Sequence, residues 1–310
     1  MKVEVRDSKT DKLLHTFTDL PLDATVLHVK QRINVENRKL ALNRQALRST
    51  ANGKPLNDDR RLEDLRDPDE LEKVRLYLRD LGPQIGWRTV FLVEYAGPLI
   101  IYFAIWLLRN PKVPNRYWDP MKTHLELRTL ALTCWCLHYI KRLLETLFVH
   151  RFSHATMPLR NLFKNCAYYF GFAGMVSYFT NHPLYTLPAY GCPQICVGLG
   201  IFLLGEWGNF SCHLALRNLR PPGSTVRQIP KPVRGWIMTR LFDLVACPHY
   251  TYEVASWFGF AIMTQTLPAA LFALMGFSQM SIWALAKLRA YRREFPEFPR
   301  ARKAIVPFIL

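Results

Sequence analysis

Long uncharged stretches limit most strongly what this chain can fold into. Residues 165–205 contain no Asp, Glu, Lys or Arg over 41 positions, residues 254–286 contain none, and residues 89–108 contain one, Glu94. A transmembrane helix needs about 20 consecutive apolar residues, so 41 such residues can cross a bilayer more than once. The pattern predicts a multi-pass membrane protein.

The charged residues are unevenly distributed along the chain. It carries 41 Lys and Arg against 24 Asp and Glu, a net charge of +17. Residues 1–82 hold 17 of these bases and 15 of these acids, a net of +2, and none of the 7 Cys or 8 Trp. The remaining residues therefore carry +15, which predicts a water-soluble front module and a membrane body with basic cytosolic loops.

The front module shows the pattern of a β-grasp domain. Val3 and Val5 alternate with charged residues, a polar turn follows, and residues 13–17 resume an extended pattern, which predicts a hairpin. Asp23 or Thr25 can cap a helix, and short strands are predicted near residues 46–49 and 74–78. This order resembles ubiquitin over residues 1–82. No free Gly-Gly ends the module, so we interpret it as a cytosolic docking or stability domain.

We predict about six transmembrane helices in an otherwise all-α domain of residues 83–310. They are placed at residues 87–108, 127–149, 165–185, 194–216, 237–262 and 266–290. An even number of crossings puts both termini on one side, and the bases of segments 150–164, 217–240 and 287–303 indicate the cytosol. The basic segment 109–124 disagrees with this topology. The N-terminus lacks the apolar core of a signal peptide, so the first helix is expected to direct insertion.

Several familiar sites are missing from the sequence. The 7 cysteines include no CxxC pair and no spacing typical of zinc, so we expect free thiols in a reducing compartment and no metal site. No GxGxxG, P-loop, GxSxG or HExxH motif is present. The basic residues lie in short loops between spans, which argues against nucleic acid as a partner.

Polar groups inside predicted spans are candidates for function. A carboxylate such as Glu94 costs free energy inside a membrane unless it is paired or lines a cavity, so Glu94 is a candidate site residue. The alternative is that Glu94 forms an ion pair that only packs two helices together. His138, Arg142 and Glu145 share one helix face, although Lys141 and Arg142 could also extend their side chains from a helix end to the bilayer surface.

The fourth predicted helix carries a longer polar stripe. Asn209, His213, Arg217 and Arg220 are spaced at i, i+4, i+8 and i+11. Arginine binds phosphate in bidentate fashion, so Arg217, Arg220 and Arg227 are expected to form an anion clamp. A positive-inside loop would explain the arginines without any ligand, but it would not explain Asn209 and His213.

A second group of candidates lies towards the C-terminus. The segment CPHYTYEVASW places His249, Tyr250 and Glu253 directly before an uncharged stretch, and Tyr291 lies among bases. A tyrosine at an apolar site can donate a proton when neighbouring charges tune it. Tyrosines at membrane interfaces are common without any catalytic role.

These residues together resemble one family. Segments 86–108, 138–165, 208–230, 247–257 and 279–310, with the ubiquitin-like front and the linking sequence DLGPQI, are similar to the very-long-chain trans-2-enoyl-CoA reductases of the endoplasmic reticulum. That family is a branch of the steroid 5α-reductase superfamily. The resemblance implies NADPH-dependent reduction of the C2=C3 double bond of a very-long-chain trans-2-enoyl-CoA, the last step of each fatty acid elongation cycle, with a role in sphingolipid metabolism.

The resemblance also implies roles for single residues. The catalytic positions of the family match Glu94, Tyr139 and Tyr250. The family's cofactor-binding positions match Arg142, Asn209, His213, Arg217, Arg220, Glu253 and Tyr291, to which we add Arg227 and His249. The chain departs from the family pattern at His249, where Asn is common, and at Leu288, where His is common.

Partners and alternatives follow from the same resemblance. The expected partners are the enoyl-CoA substrate, the lipid bilayer and the other elongation enzymes: the elongase, the ketoacyl-CoA reductase and the hydroxyacyl-CoA dehydratase. A sterol or polyprenol reductase of the same superfamily is the alternative enzyme. A non-catalytic membrane scaffold is the alternative from another class.

Overall fold

The computed structural model describes residues 1–21, 23–66, 73–109, 121–152, 155–219, 221 and 227–310. The chain forms two compact units. The first comprises residues 1–87 and 154–163, and the second comprises residues 88–153 and 164–310.

The first unit contains a four-stranded sheet with one helix. Its elements are β1 (Lys2–Asp7), β2 (Leu13–Phe17), α1 (Val26–Glu36), β3 (Gln45–Arg48) and β4 (Lys73–Asp80). The strand order is β2-β1-β4-β3, with β1 and β4 parallel and the other pairs antiparallel. This is the predicted β-grasp arrangement, in which the first and last strands lie side by side at the centre of the sheet.

Local sequence explains how α1 begins and what it packs against. Thr25 is the N-cap, and its backbone N–H donates to Nδ1 of His28 at 3.0 Å in a capping box. The apolar face of α1 carries Val26, Val29 and Ile33, which are fully buried against the sheet. The predicted helix and its Thr25 cap are therefore confirmed.

Six long helices follow in the described part of the chain. They are α2 (Trp87–Arg109), α3 (Met121–Phe148), α4 (Leu159–Thr180), α5 (Gly191–Leu219), α6 (Pro248–Thr264) and α7 (Leu267–Glu294). By length and composition, α2, α5 and α7 can cross a membrane. The chain is therefore a membrane protein with three candidate spans among the residues that the structure describes, and the six-crossing topology stays a prediction.

Two sequence-based predictions about this region were wrong. Residues 237–262 do not form one helix, because Ile237–Asp243 is a 3-10 turn and α6 begins at Pro248, which lacks the N–H that a helix interior would need. The region after residue 82 is also not all-α. Strands β5 (Gln84–Gly86) and β6 (Thr156–Pro158) pair antiparallel directly before α2 and α4.

Helices α5 and α6 pack in direct backbone contact through glycines. A Cβ atom on Gly259 would lie 2.6 Å from the carbonyl oxygen of Gly198, and one on Gly205 would lie 2.7 Å from that of Tyr252. Small residues allow membrane helices to approach this closely. The close approach brings the polar stripe of α5 next to the first turns of α6.

Candidate active site

A cavity of about 450 Å³ opens among α3, α5, α6 and α7. None of the described residues that line it is acidic, and five are basic: Arg142, Arg151, Arg217, Arg227 and Lys287. Its aromatic lining consists of Phe91, Phe152, Tyr250, Trp283 and Tyr291. Its size is within the range of ligand pockets, and its charge suits an anion with aromatic or apolar parts.

The first polar cluster at this cavity is centred on Arg142. Its Nη1 lies 2.8 Å from Oε2 of Glu145, and its Nη2 donates to the hydroxyl of Tyr95 at 2.8 Å. Nδ1 of His213 lies 2.9 Å from Oε1 of Glu145. Because Arg142 and Glu145 are almost completely buried, each needs the other to offset the cost of leaving water. The predicted shared face of α3 is confirmed.

His150 completes this cluster just beyond the end of α3. Burial, followed by the nearby positive charge of Arg142, lowers the pKa of His150 to about 3. Glu145, His150 and His213 each offer a possible metal-ligand atom, and these atoms lie within 4.8 Å of one another. However, Arg142 already contacts the carboxylate, and its fixed positive charge opposes a metal cation there.

A second polar cluster lies one turn earlier on α3. Glu206 of α5 forms an ion pair with Lys141, whose Nζ lies 2.8 Å from Oε2, and its Oε1 lies 2.8 Å from Nδ1 of His138. Lys141 also donates to Oδ1 of Asn209 at 2.6 Å. Lys141 therefore does not extend to the bilayer surface, since its ammonium group is held between two groups of α5.

Asn209 connects this second cluster to α6. Its Nδ2 donates to the backbone oxygen of His249 at 2.9 Å and to Oε2 of Glu253 at 3.2 Å. Because Lys141 can only donate, its contact fixes which end of the Asn209 amide is the oxygen. The orientations of Asn209 and Glu253 are thus coupled.

The three candidate tyrosines have different surroundings. Tyr139 is 1% exposed, its hydroxyl has no partner among the described residues, and its ring contacts those of Trp135 and Trp257. Tyr250 lines the cavity, with its ring 4.2 Å from that of His249. Tyr291 also lines the cavity and stacks on Phe298.

Glu94 is separate from both polar clusters. It is 2% exposed on α2, and its Oε1 accepts from Nδ2 of Asn165 at 2.7 Å. In the part of the chain that the structure describes, no cation lies within ion-pair distance of it. The alternative of a helix-packing ion pair is therefore not what the described residues form.

The predicted cofactor residues fall into three groups. The cavity brings together Arg142, His213, Arg217, Arg227, His249 and Tyr291. Asn209 and Glu253 are not among the residues that line the cavity; Asn209 donates to the backbone oxygen of His249, which lines it, and to Glu253. Arg220 lies outside the described residues. Arg227 also pairs with Glu294 at 2.6 Å.

Comparison with known proteins agrees with this architecture. Residues 155–310 match the family described as 3-oxo-5-alpha-steroid 4-dehydrogenase, and residues 1–80 match the TECR ubiquitin-like domain. The chain is 50% identical over 309 residues to a probable very-long-chain enoyl-CoA reductase of Caenorhabditis elegans, with 99% of each chain covered. It is 52% identical to the very-long-chain enoyl-CoA reductase of Dictyostelium discoideum, covering 76% of this chain and 74% of the relative.

The chain belongs to the very-long-chain enoyl-CoA reductase family. A human protein named trans-2,3-enoyl-CoA reductase-like is 38% identical, with all of this chain and 84% of the relative covered.

Sequence reasoning missed several side chains of this family member's site. Glu206 was detectable, because it is the first charged residue after the 41-residue uncharged stretch and lies within the predicted span 194–216. Arg151 and Lys287 were visible only as loop bases, since nothing in the sequence places them at one cavity. Asn165 carries no charge and no motif, so its contact with Glu94 could be found only from the packing of α2 against α4.

Proposed function

We propose that this reductase uses NADPH to reduce the C2=C3 double bond of very-long-chain trans-2-enoyl-CoA at the endoplasmic reticulum membrane. The main support for this proposal is the cavity, whose described lining residues include five basic side chains and no acidic one. NADPH and coenzyme A both carry several phosphates, and arginine binds phosphate in bidentate fashion. Aromatic rings beside these bases suit a nicotinamide or an adenine.

The polar atoms around the cavity also fit a dinucleotide. Nδ1 of His249 and Nε of Arg142 are buried without a hydrogen-bond partner among the described residues. Buried polar groups are normally paired, so these atoms are available to a ligand. We assign the phosphates to Arg217, Arg220 and Arg227, with Arg151 and Lys287 as additional bases. We assign the nicotinamide end to Asn209, His213 and Glu253, with Arg142, His249 and Tyr291 along the cavity.

The residues of the chain would stabilise the reacting thioester. When bound, NADPH supplies the hydride that adds at C3 of the enoyl group. Negative charge then develops on the thioester oxygen, and preorganised donors near that oxygen lower the barrier. The unpartnered hydroxyl of Tyr139 and the carboxyl group of Glu94 are the proposed donors to it. Tyr250 lines the cavity and is the proposed proton donor to C2.

Purified protein in detergent tests this assignment directly. We expect it to oxidise NADPH only when a C16–C26 trans-2-enoyl-CoA is present. Tyr250→Phe and Glu94→Gln should each lower kcat by about 10²-fold or more, the usual contribution of a positioned acid or base. Wild-type kcat in both variants would overturn the proposed mechanism.

The family match over residues 155–310 supports a second candidate, a sterol or polyprenol reductase. An enone and an enoyl thioester develop charge on the corresponding oxygen, so the same donors could serve both. Competition between enoyl-CoA and a 3-oxo steroid for NADPH oxidation separates the two. A non-catalytic scaffold would instead show no shift of its unfolding temperature when NADPH is added.

The cellular setting is part of the proposal. The three apolar helices support a membrane location, and the names of the relatives support reduction of very-long-chain enoyl-CoA, from which we propose a role in fatty acid elongation. We propose six crossings, cytosolic termini, the domain division at residues 82 and 83, and association with the other elongation enzymes. We propose that the same activity also contributes to sphingolipid metabolism, by acting on acyl chains derived from sphingoid bases.

A further inference from the structure

The partner of Glu94 differs from the partners of the other buried carboxylates in the second unit. Glu145 and Glu206 each contact cations, whereas Glu94 accepts its hydrogen bond from the neutral amide of Asn165. The donor atom Nδ2 lies 2.7 Å from Oε1 of Glu94.

The packing of α2 against α4 holds these two side chains together. A Cβ atom on Gly97 would lie 1.8 Å from the ring of Phe170, so this ring of α4 packs directly against the backbone of α2. Tyr95 on α2 also meets Tyr169 on α4 edge to face, with ring centroids 6.0 Å apart. The Glu94–Asn165 contact therefore lies beside two aromatic contacts between α2 and α4.

The backbone hydrogen bonding of α2 is also interrupted next to Glu94. Pro98 lacks an N–H, so the carbonyl of Glu94 receives no helical hydrogen bond from the residue four positions later. The carbonyl of Pro98 accepts instead from Nε1 of Trp135 on α3 at 3.0 Å. The helix turn that carries Glu94 is thus anchored from α3 as well as from α4.

We propose that Asn165 is a positioning residue that holds Oε1 of Glu94, so that the other carboxyl oxygen is left for the substrate thioester. This inference rests on the proposed function, in which Glu94 contacts the thioester group. An amide can hold one carboxyl oxygen without adding a charge, whereas a lysine would form an ion pair with the carboxylate. A misplaced catalytic group can cost about 10²-fold in rate.

Substitutions at position 165 test the proposal in the full-length protein. Asn165→Asp keeps the size but replaces the donor with an acceptor, and Asn165→Ala removes the side chain. We expect each to lower kcat by roughly 10-fold to 10²-fold while the KM for NADPH stays unchanged. Asn161→Asp, the same change one helical turn earlier on α4, is the matched control and should keep wild-type kcat.

Combining these changes with Glu94→Gln separates positioning from packing. In the double variant Glu94→Gln/Asn165→Asp, the amide now at position 94 can donate to the carboxylate now at position 165. This variant should regain the unfolding temperature lost in Asn165→Asp, while its kcat stays at the level of Glu94→Gln. In the Glu94→Gln background, Asn165→Ala should cause no further loss of kcat. Independent, multiplicative losses in that background would overturn the positioning role.

The outcomes also separate this inference from the function on which it rests. Wild-type kcat in Glu94→Gln would refute the proposed role of Glu94 itself. A large loss in Glu94→Gln together with wild-type kcat in both Asn165→Asp and Asn165→Ala would refute only the role of Asn165.

Discussion

The two units of this protein use ion pairs in opposite ways. In the ubiquitin-like unit, Arg44 and Asp80 pair at 2.6 Å with 27% and 43% of their side chains exposed. In the membrane unit, Arg142 and Glu145 pair at 2.8 Å with 9% and 1% exposed. Exposed pairs contribute little to stability because water solvates either partner alone. A buried pair cannot lose one partner without leaving the other charge uncompensated.

This difference shows what each set of charges is for. The core cluster of the first unit consists of apolar residues, and its charges lie mainly on the surface, although Glu4 and Lys30 are buried. The second unit keeps charges inside, on α3 and α5, where hydrophobic residues would pack at lower cost. A protein retains such expensive groups where they orient a ligand or a reacting group.

The largest effect is expected from breaking the buried pair at Glu145. Glu145→Gln leaves Arg142 without its counter-charge and should lower the free energy of unfolding by about 3–5 kcal/mol. Thermal unfolding in detergent measures this change. Glu126→Gln, an exposed acid on the same helix, is the control and should unfold like the wild type. Equal stability of the two variants would show that the membrane unit does not depend on its buried pairs.

A smaller effect is expected from the helix contact that positions these charges. Gly259→Ala would place a methyl group 2.6 Å from backbone atoms of α5, and overpacking of this kind costs about 1–3 kcal/mol. Gly200→Ala is the matched control, because no atom lies within 4 Å of its added Cβ. The two variants should differ in unfolding temperature and in NADPH affinity. If they behave alike, the α5–α6 contact does not set the site.

Loss of Glu206 should affect ligand binding more than folding. Glu206→Gln weakens the hold on Lys141, which orients Asn209. We expect NADPH to bind about tenfold more weakly, which corresponds to about 1.4 kcal/mol. Isothermal titration in detergent measures the change. An unaltered affinity would mean that Asn209 keeps its orientation without this second cluster.

The smallest change in stability is expected in the ubiquitin-like unit, where the contribution of the Arg44–Asp80 pair depends on pH. The side chain of Arg44 lowers the pKa of Asp80, and the backbone N–H of Gly82 adds to this. Since the folded-state pKa lies below the unfolded value of about 3.9, the stabilisation is complete well above pH 4 and is lost as the pH falls through the folded-state pKa.

Hydrogen exchange of β4 in the full-length protein measures this pH dependence. In the wild type, the amides of β4 should become less protected from exchange as the pH falls. This decrease should be smaller in Asp80→Asn. In Asp64→Asn, changed at an exposed position, it should be as large as in the wild type. A pH response that is identical in all three proteins would show that the exposed pair contributes nothing.

The sequence predicted the ubiquitin-like unit well because its signals are local. The alternation of Val3 and Val5 and the Thr25 cap each act within a few residues. The helical stripe of α5 was predicted for the same reason. The break at Pro248 was missed because residues 237–247 are as apolar as a helix would be. The β5–β6 pairing was missed because it joins segments 72 residues apart, such as Gln84 and Thr156.

The site itself was predicted in part. Residues that carry a charge or a ring were found from helical spacing, as with Arg142 and His213, which the structure brings within 3.3 Å of each other. Contacts that depend on how two helices approach could not be found in this way. Asn165 meets Glu94 across α2 and α4, and Lys141 meets Glu206 across α3 and α5, and no spacing within one helix predicts either contact.

The β5–β6 ladder has a consequence for how the protein is made. Gln84–Gly86 and Thr156–Pro158 are hydrogen-bonded to each other, so both segments must lie on the same face of the bilayer. In the six-crossing topology that we propose, α2 leaves this face and α3 returns to it. The ladder could then form only after both helices had been inserted, so its formation would mark the end of that step of biogenesis.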